Sequence, residues 1–367
     1  MNNLCLKSPE KSCLAGLFFY LLFGNAVAQD LRLLDWKPKS QLVVHRTNIT
    51  KPKYPVIDIH NHLGELENTG TYLNEMDKAG IAVCVSLDGH SRDDFYKEHL
   101  KRSKSVSNDR FLVFFAPDWE KIDEPNFGTN EAKRLEEAAK LGVRGLKVFK
   151  SLGLTIKDKS GKIVAVDDPR LDPIWAKCGE LKIPVMIHVS DPKAFFTPVD
   201  QYNERYDELA EHPDWSFYGN GYPAKQEILA QRNRVLAKHP NTTFIGAHMG
   251  NLPEDLTILG TWLDKFPNFY VDIDARISEL GRQPYTARKF LIKYQDRVLF
   301  GSDTPPDAHA YSVYYRFLET DDEYIDPAEG HHLQGRWMIY GLYLPDEVLE
   351  KIYNKNAKKL LDVALYK

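Results

Sequence analysis

The chain has 367 residues, and its hydrophobic content of 43% and aromatic content of 12% exclude a disordered protein, which lacks the apolar surface to form a core. Its 48 Lys and Arg residues nearly balance its 52 Asp and Glu residues, giving a formal net charge of −4 and arguing against a nucleic-acid binder. The length suits one large α/β barrel with insertions.

The first 28 residues have the pattern of a secretory signal peptide. Lys7 and Lys11 precede an uncharged apolar run at 13–23, and residues 26–28 form a small-x-small cleavage pattern. Because a spanning helix needs about 20 apolar residues, this run is too short to be a membrane anchor. We therefore expect cleavage after Ala28, a secreted or periplasmic location and no stable membrane span in the mature protein.

A polar N-terminal arm at 29–53 precedes a regular alternation of strands and helices. The predicted strands are short runs rich in β-branched and aromatic residues, at 55–60, 81–87, 111–116, 143–149, 184–189, 242–247, 269–274 and 297–301. The clearest predicted helices are 130–141, 169–181, 225–238 and 283–293. Several strands are apolar on both faces, as parallel strands covered by helices must be. Eight such units predict a (β/α)₈ TIM barrel over 54–367.

The predicted barrel places three long connections on one face. They span 151–168, 190–224 and 304–344, and each follows a predicted strand. In a barrel these connections lie on the catalytic face, where we expect them to shape a substrate pocket. The alternative fold, an open doubly wound sheet, is disfavoured because no Gly-rich phosphate loop follows the first strand.

Five polar residues fall at the carboxyl ends of predicted strands, where barrel enzymes keep their ligands. His60 and His62 end the first strand, and because side chains two apart point the same way they can share a metal ion. His188 ends the fifth strand, His248 the sixth and Asp303 the eighth. Imidazole and carboxylate suit zinc, iron or manganese, and such an ion makes hydroxide available at neutral pH. His248 can ligate a second ion or polarise a substrate carbonyl.

Lys147 ends the fourth strand and has three interpretations. A charged side chain on an apolar strand is costly unless it is paired. The lysine can bind a substrate anion, pair with a structural carboxylate, or become carboxylated and bridge two metal ions. Lys150 competes for each role, because the sequence defines the end of a strand only to within a residue or two.

Further candidates follow the other strands. Arg276, after the seventh strand, can bind a carboxylate substrate or form a surface salt bridge. His90, after the second strand, and Trp119, after the third, can line the pocket or pack within loops. Asp272 and Asp274 are weaker candidates, because one of them can simply cap the next helix.

The order of these residues resembles the amidohydrolase superfamily, which has His-x-His on the first strand, Lys on the fourth, His on the fifth and sixth, and Asp on the eighth. The likeness is greatest to the amidohydrolase-related (amidohydrolase 2) branch, which includes aminocarboxymuconate-semialdehyde decarboxylase. The segments that carry it are 56–62, 244–250, 299–303 and the terminal helix at 352–361. The resemblance spans 54–362, nearly all of the expected mature chain.

The resemblance implies a (β/α)₈ barrel of the metal-dependent hydrolase type with one divalent ion. The implied ligands of that ion are His60, His62, His188 and Asp303. It also implies that His248 is a catalytic partner. We expect zinc, with manganese or iron as alternatives, and a second ion only if Lys147 is carboxylated. The branch is usually mononuclear, which favours a non-bridging lysine.

The sequence therefore predicts a secreted, metal-dependent hydrolase of a small molecule. Metal-activated water would attack a carbonyl-type carbon, with Asp303 as general base and His248 stabilising the developing oxyanion. The alternatives are a metal-dependent decarboxylase, which is a carbon–carbon lyase, on the same site, and a catalytically inactive binding protein. The expected partner is a small-molecule substrate and not nucleic acid, and the sequence leaves homo-oligomer formation open.

Overall fold

The computed structural model describes residues 31–32, 35–64, 68–107, 109–219 and 221–363. The expected signal peptide at 1–28 lies outside them. Contacts divide the chain into two units, one ending at Leu42 and one beginning at Val43. In the described part of the first unit, Arg32 pairs with Asp35 at 2.6 Å. The second unit contains the strands described below.

Eight strands, numbered β1 to β8 in chain order, form one sheet in which each strand pairs in parallel with the next. They are Val56–Asn61, Ile81–His90, Phe111–Ala116, Gly145–Val148, Val185–Ile187, Phe244–Gly246, Phe269–Asp272 and Val298–Leu299. The N–H of Ile59 donates to the carbonyl of Phe300 (3.1 Å), and the N–H of Asp303 donates to that of His60 (2.9 Å). These bonds join β1 to the segment after β8, so the barrel is nearly closed. The predicted TIM barrel is confirmed.

Helices follow the strands and cover the barrel. They are Thr69–Ala79, Phe95–Val106, Phe127–Leu141, Asp172–Leu181, Tyr206–Glu211, Lys225–Lys238, Leu256–Lys265, Ile277–Arg282, Pro284–Lys293, Ala308–Glu319, Asp346–Glu350 and Asn356–Leu361. A π-helical turn, Lys351–Lys355, joins the last two. Gly142 ends its helix at a φ of +117°, as a glycine C-cap requires. Among the described residues, no helix combines the length and apolar character needed to cross a membrane.

The hydrophobic core has two layers. One fills the barrel interior with strand side chains such as Ile57, Met186 and Leu299, and the other fills the space between strands and helices. Ala357 and Leu361 of the last helix belong to the inner layer, so this helix closes the amino-terminal end of the barrel. That closure leaves the carboxyl ends of the strands as the open face.

The long connections stand at this open face and are joined to one another. The connection at 190–224 contains Asp207 and Glu208, and the connection at 304–344 contains His332 and Arg336. Arg336 Nε lies 2.6 Å from Asp207 Oδ2, and His332 Nε2 lies 2.7 Å from Glu208 Oε1. The two connections therefore meet through the Arg336–Asp207 ion pair and the hydrogen bond between His332 and Glu208.

Candidate metal centre

His60 in β1 and His62 just after it each have a carboxylate beside Nδ1. Nδ1 of His60 is hydrogen-bonded to Oδ2 of Asp272 (3.0 Å) and lies 2.9 Å from Oδ2 of Asp274, and Nδ1 of His62 is hydrogen-bonded to Oδ1 of Asp88 (2.7 Å). In each ring Nε2 therefore lies on the side opposite the carboxylate that holds Nδ1. Both Nε2 atoms lie 3.6 Å from Oδ1 of Asp303. Three predicted ligands, two histidines and one aspartate, thus converge. The other ring nitrogen of each histidine is held by a carboxylate, as is usual for metal-ligating histidines.

This spacing fits a shared divalent ion. Two ligand atoms at 2.0–2.1 Å from a tetrahedral ion are about 3.4 Å apart, close to the observed 3.6 Å. Burial lowers the pKa of His60 well below its usual value, which keeps the ring neutral. A neutral imidazole is the form that a metal ion binds. The residues present therefore suit the ion that the sequence implied.

His248 and Asp303 both have a left-handed backbone, with φ of +56° and +61°. Such a conformation costs a non-glycine residue about 1–3 kcal/mol and tends to cluster at functional sites. At His248 the turn is held by its own N–H, which donates to Oδ1 of Asp272 (2.6 Å). Nδ1 of His248 lies 2.9 Å from Oδ2 of Asp274. The strained turn therefore fixes the direction of the His248 ring.

A second donor set overlaps the predicted one. Donor atoms of His60, His248, Asp274 and Asp303 all lie within 4.8 Å of one another. This set shares His60 and Asp303 with the predicted ligands. Oδ2 of Asp274 already lies 2.9 Å from Nδ1 of both His60 and His248, which favours a role in orienting the two rings.

His188 lies beside His248, with the ring centroids 4.3 Å apart. Its Nε2 is buried and has no hydrogen-bond partner in the described structure. The nearest carboxylate oxygen, Oδ1 of Asp191, lies 3.5 Å away. Burial lowers the pKa of His188 well below its usual value. A buried, neutral, unpartnered nitrogen is what a ligand leaves when its ion is removed. None of the described ion pairs joins His188 to Asp303.

The two candidate lysines have different surroundings. Lys147 is fully buried, and its Nζ lies 3.0 Å from Nε2 of His60. Burial lowers its pKa, although nearby carboxylates, Asp303 foremost, oppose the shift. Lys150 instead pairs with Asp191 at 2.7 Å and lies 5.5 Å from the ring of Trp215. The structure therefore brings Lys147, and not Lys150, to the histidines.

Of the remaining candidates, Arg276 lies close to the metal centre in the chain, and His90 and Trp119 pack elsewhere. Arg276 is buried, and its Nη1 donates to the carbonyl of Ala275 (2.6 Å), one residue after Asp274. His90 is exposed and stacks on Phe95, with centroids 4.3 Å apart. Trp119 packs against Phe127. In the described contacts, neither His90 nor Trp119 touches the histidines of the candidate metal centre.

The sequence reasoning missed several carboxylates and one aromatic residue. Asp88 and Asp191 were not singled out, and Asp272 and Asp274 were treated as possible helix caps. Asp272, the last residue of β7, and Asp274, two residues later, are both fully buried. Their spacing of two on an apolar strand was the available signal, because it places two charges on one face. Phe149 was also missed; its ring lies 5.7 Å from that of His62.

Comparisons with known proteins agree with this architecture. The Amidohydrolase family model matches residues 57–363. A dihydroxybenzoic acid decarboxylase from a Polaromonas species, solved with manganese and the inhibitor 2-nitroresorcinol, is 19% identical over 84% of this chain and 97% of its own, with a TM-score of 0.52. A 4-oxalomesaconate hydratase from Rhodopseudomonas palustris is 14% identical over 84% and 95%, with a TM-score of 0.51. No match was found among curated proteins. The chain belongs to the Amidohydrolase family, whose members are metal-dependent enzymes.

Proposed function

We propose that the chain is a metal-dependent hydrolase of a small molecule. One divalent ion would be held by His60, His62, His188 and Asp303. The observation that carries the proposal is the convergence of two imidazole Nε2 atoms on Oδ1 of Asp303, each at 3.6 Å. Asp88 and Asp272 hold the opposite nitrogens of these rings by hydrogen bonds, which supports ligation through Nε2.

A divalent ion held by these residues would lower the pKa of bound water towards 7 and would polarise a substrate carbonyl. Asp303 accepts no hydrogen bond from the described residues, and its side chain is 24% exposed, so its carboxylate is available to take a proton from water. His248, whose Nδ1 lies 2.9 Å from Oδ2 of Asp274, can donate a hydrogen bond from Nε2 to the oxyanion that develops on the substrate when both of its ring nitrogens carry a proton.

A decarboxylase on the same residues is the second candidate. The specific support is the activity of the Polaromonas neighbour, a dihydroxybenzoic acid decarboxylase that was solved with manganese bound. At 19% identity that likeness supports a shared fold, and the reaction has to be decided by measurement. The same neighbour keeps manganese beside zinc and iron as a candidate ion, whereas the nitrogen-rich donor set favours zinc.

Two measurements separate the reactions. A panel of amides, lactones and aromatic carboxylic acids is incubated with the metal-loaded protein in ¹⁸O-labelled water. We expect the label in the product and no carbon dioxide, because hydrolysis adds a water oxygen. Carbon dioxide release without label would replace the hydrolase by the lyase.

The role of Asp303 is tested by Asp303→Asn. Because a general base contributes about 10²–10⁴-fold, kcat should fall by that factor while the protein stays folded. Asp326→Asn is the matched control, since Asp326 lies in the same connection and only caps a turn through the N–H of Ala328 (2.9 Å). Near-normal turnover of Asp303→Asn would remove Asp303 from this role.

We also propose that the protein is exported and cleaved after Ala28. The support is the charge and apolar pattern of residues 1–28. Amino-terminal sequencing of the protein recovered from its native source should begin at Gln29. A first residue of Met1 would contradict cleavage.

A further inference from the structure

Arg276 is a buried cation with few partners. The residue is only 5% exposed, and its Nη1 donates to the carbonyl of Ala275 (2.6 Å). Among the described residues, no carboxylate oxygen lies within 4.0 Å of its guanidinium group. Glu279, one turn further on, pairs with Arg205 instead. Most of the five N–H donors of Arg276 therefore have no acceptor in the described chain.

His331 brings a second unpartnered group to the same place. It comes from the connection after β8, and its Nδ1 is buried without a hydrogen-bond partner in the described structure. Burial, His332, Arg276 and His248, in that order, lower its pKa to about 3, so the ring is neutral. The connection that carries His331 reaches the turn before Arg276, because Nε2 of Gln334, three residues after His331, donates to the carbonyl of Ala275 (3.3 Å).

The backbone before Arg276 is held in an unusual conformation. Ala275 has a φ of +49°, a left-handed conformation that costs a residue with a Cβ. Its N–H donates to the hydroxyl of Tyr314 (3.0 Å), and its carbonyl accepts from Nε2 of Gln334 (3.3 Å). Both partners come from the connection after β8. The turn that follows Asp274 is thus built by two elements, and it sets the position of Arg276 beside the metal centre.

A buried guanidinium without a carboxylate partner is costly, and the natural way to offset that cost is a ligand. The planar guanidinium group matches the shape of a carboxylate, which it binds through two parallel hydrogen bonds. A single cation with a neutral imidazole suits one negative charge. We propose that Arg276 and His331 form a subsite for a carboxylate group of the substrate, next to His248. The substrate of the proposed hydrolase is then a small organic acid.

The subsite is tested by direct binding. Benzoate is the probe and benzamide its neutral equivalent, because the two molecules share a ring and differ in charge. Calorimetry on the full chain should give at least tenfold tighter binding of benzoate than of benzamide. Arg276→Gln should remove that preference, and Arg276→Lys, which keeps the charge and loses the fork, should remove part of it. Equal binding of the two probes by the wild type would overturn the proposal.

Two controls separate a subsite from a general charge effect. Arg282→Gln removes a cation from the adjacent helix that is already paired with Glu204 (2.8 and 3.1 Å), and it should leave the benzoate preference intact. His331→Gln should weaken benzoate several-fold and leave benzamide unchanged. An equal loss in Arg282→Gln and Arg276→Gln would reject the subsite.

The reaction at this subsite rests on the proposed function, whereas carboxylate binding by the subsite does not. The measurement is therefore repeated after metal removal, when a metal ion can no longer hold the probe. Arginine-dependent benzoate binding should persist in the stripped protein. If the hydrolase assignment fails while this binding remains, the carboxylate subsite stands alone. If benzoate binding vanishes with the metal, the ion and not Arg276 holds the carboxylate, and the subsite is rejected.

Discussion

Asp88 is predicted to set the metal affinity through His62, and Asp88→Asn tests this directly. Oδ1 of Asp88 lies 2.7 Å from Nδ1 of His62, and Oδ2 accepts the N–H of Gly64 (2.8 Å). Burial alone would raise the pKa of Asp88, but these contacts lower it below its usual value, so at neutral pH the group is an ionised acceptor. It therefore keeps the proton of His62 on Nδ1 and leaves Nε2 free for the ion.

An asparagine at position 88 removes the charge, and its amide can also donate to Nδ1. That bond favours the tautomer with the proton on Nε2, the atom that faces Asp303. Loss of such a supporting carboxylate typically weakens metal binding 10–100-fold, or about 1.4–2.7 kcal/mol. Competition against a chelating dye at pH 7.5 should give a dissociation constant raised by that factor.

The matched control is Asp172→Asn. Oδ1 of Asp172 lies 3.0 Å from Nε2 of His239, so it is also a carboxylate–histidine pair, but it joins two outer helices. Its substitution should leave the metal affinity unchanged within twofold. If Asp88→Asn is folded by circular dichroism and binds metal as tightly as the wild type, His62 is not a ligand oriented by Asp88.

Further predictions concern a lysine and a buried histidine. Lys147→Met should leave elemental analysis at about one ion per chain, whereas a fall from two ions to one would support a carboxylated, bridging lysine. His99 is fully buried against Ser86 Oγ (2.7 Å), and burial lowers its pKa to about 4, below the unfolded value of 6.5. Protonation therefore favours the unfolded chain, and this contribution to stability is lost as the pH falls from 6.5 towards 4. Between pH 7.5 and 5, urea denaturation should show the wild type losing about 2 kcal/mol more than His99→Gln, and equal losses would contradict the shift.

The strands could be predicted because each is a short apolar run between turn-forming residues. Phe111–Ala116 has the same bounds in the sequence pattern and in the structure. The last strand is shorter, since 297–301 was predicted and Val298–Leu299 is observed. Next to it the N–H of Phe300 donates to the carbonyl of Ile352 in the π-helical turn Lys351–Lys355 (3.0 Å). A run of apolar letters does not reveal that a helix takes over one of its backbone bonds.

The candidate ligands at the strand ends could be predicted from the sequence. The carboxylates that hydrogen-bond to those ligands could not. His60, His62 and Asp303 converge as expected because their positions follow from the ends of β1 and β8. Asp88 and Asp272 come from other strands, and which strand side chains meet depends on register and on closure of the barrel. A single sequence shows neither the register of the strands nor the closure of the barrel. His188 remains a predicted ligand, with Asp191 and His248 as its described neighbours.

The charges around the site distinguish the three candidate cations. Lys150 is neutralised by Asp191 at 2.7 Å. Lys147 lies among the carboxylates of the metal centre, with Nζ 3.0 Å from His60, so its charge is committed to that cluster. Neither Lys147 nor Arg276 has a carboxylate oxygen within 4.0 Å among the described residues, but the carboxylates of the metal centre, Asp303 foremost, raise the pKa of Lys147 against the effect of burial. In a chain with a net charge of −4, attraction for an anionic substrate has to be local. Selection for such a substrate should therefore depend on Arg276 more than on either lysine.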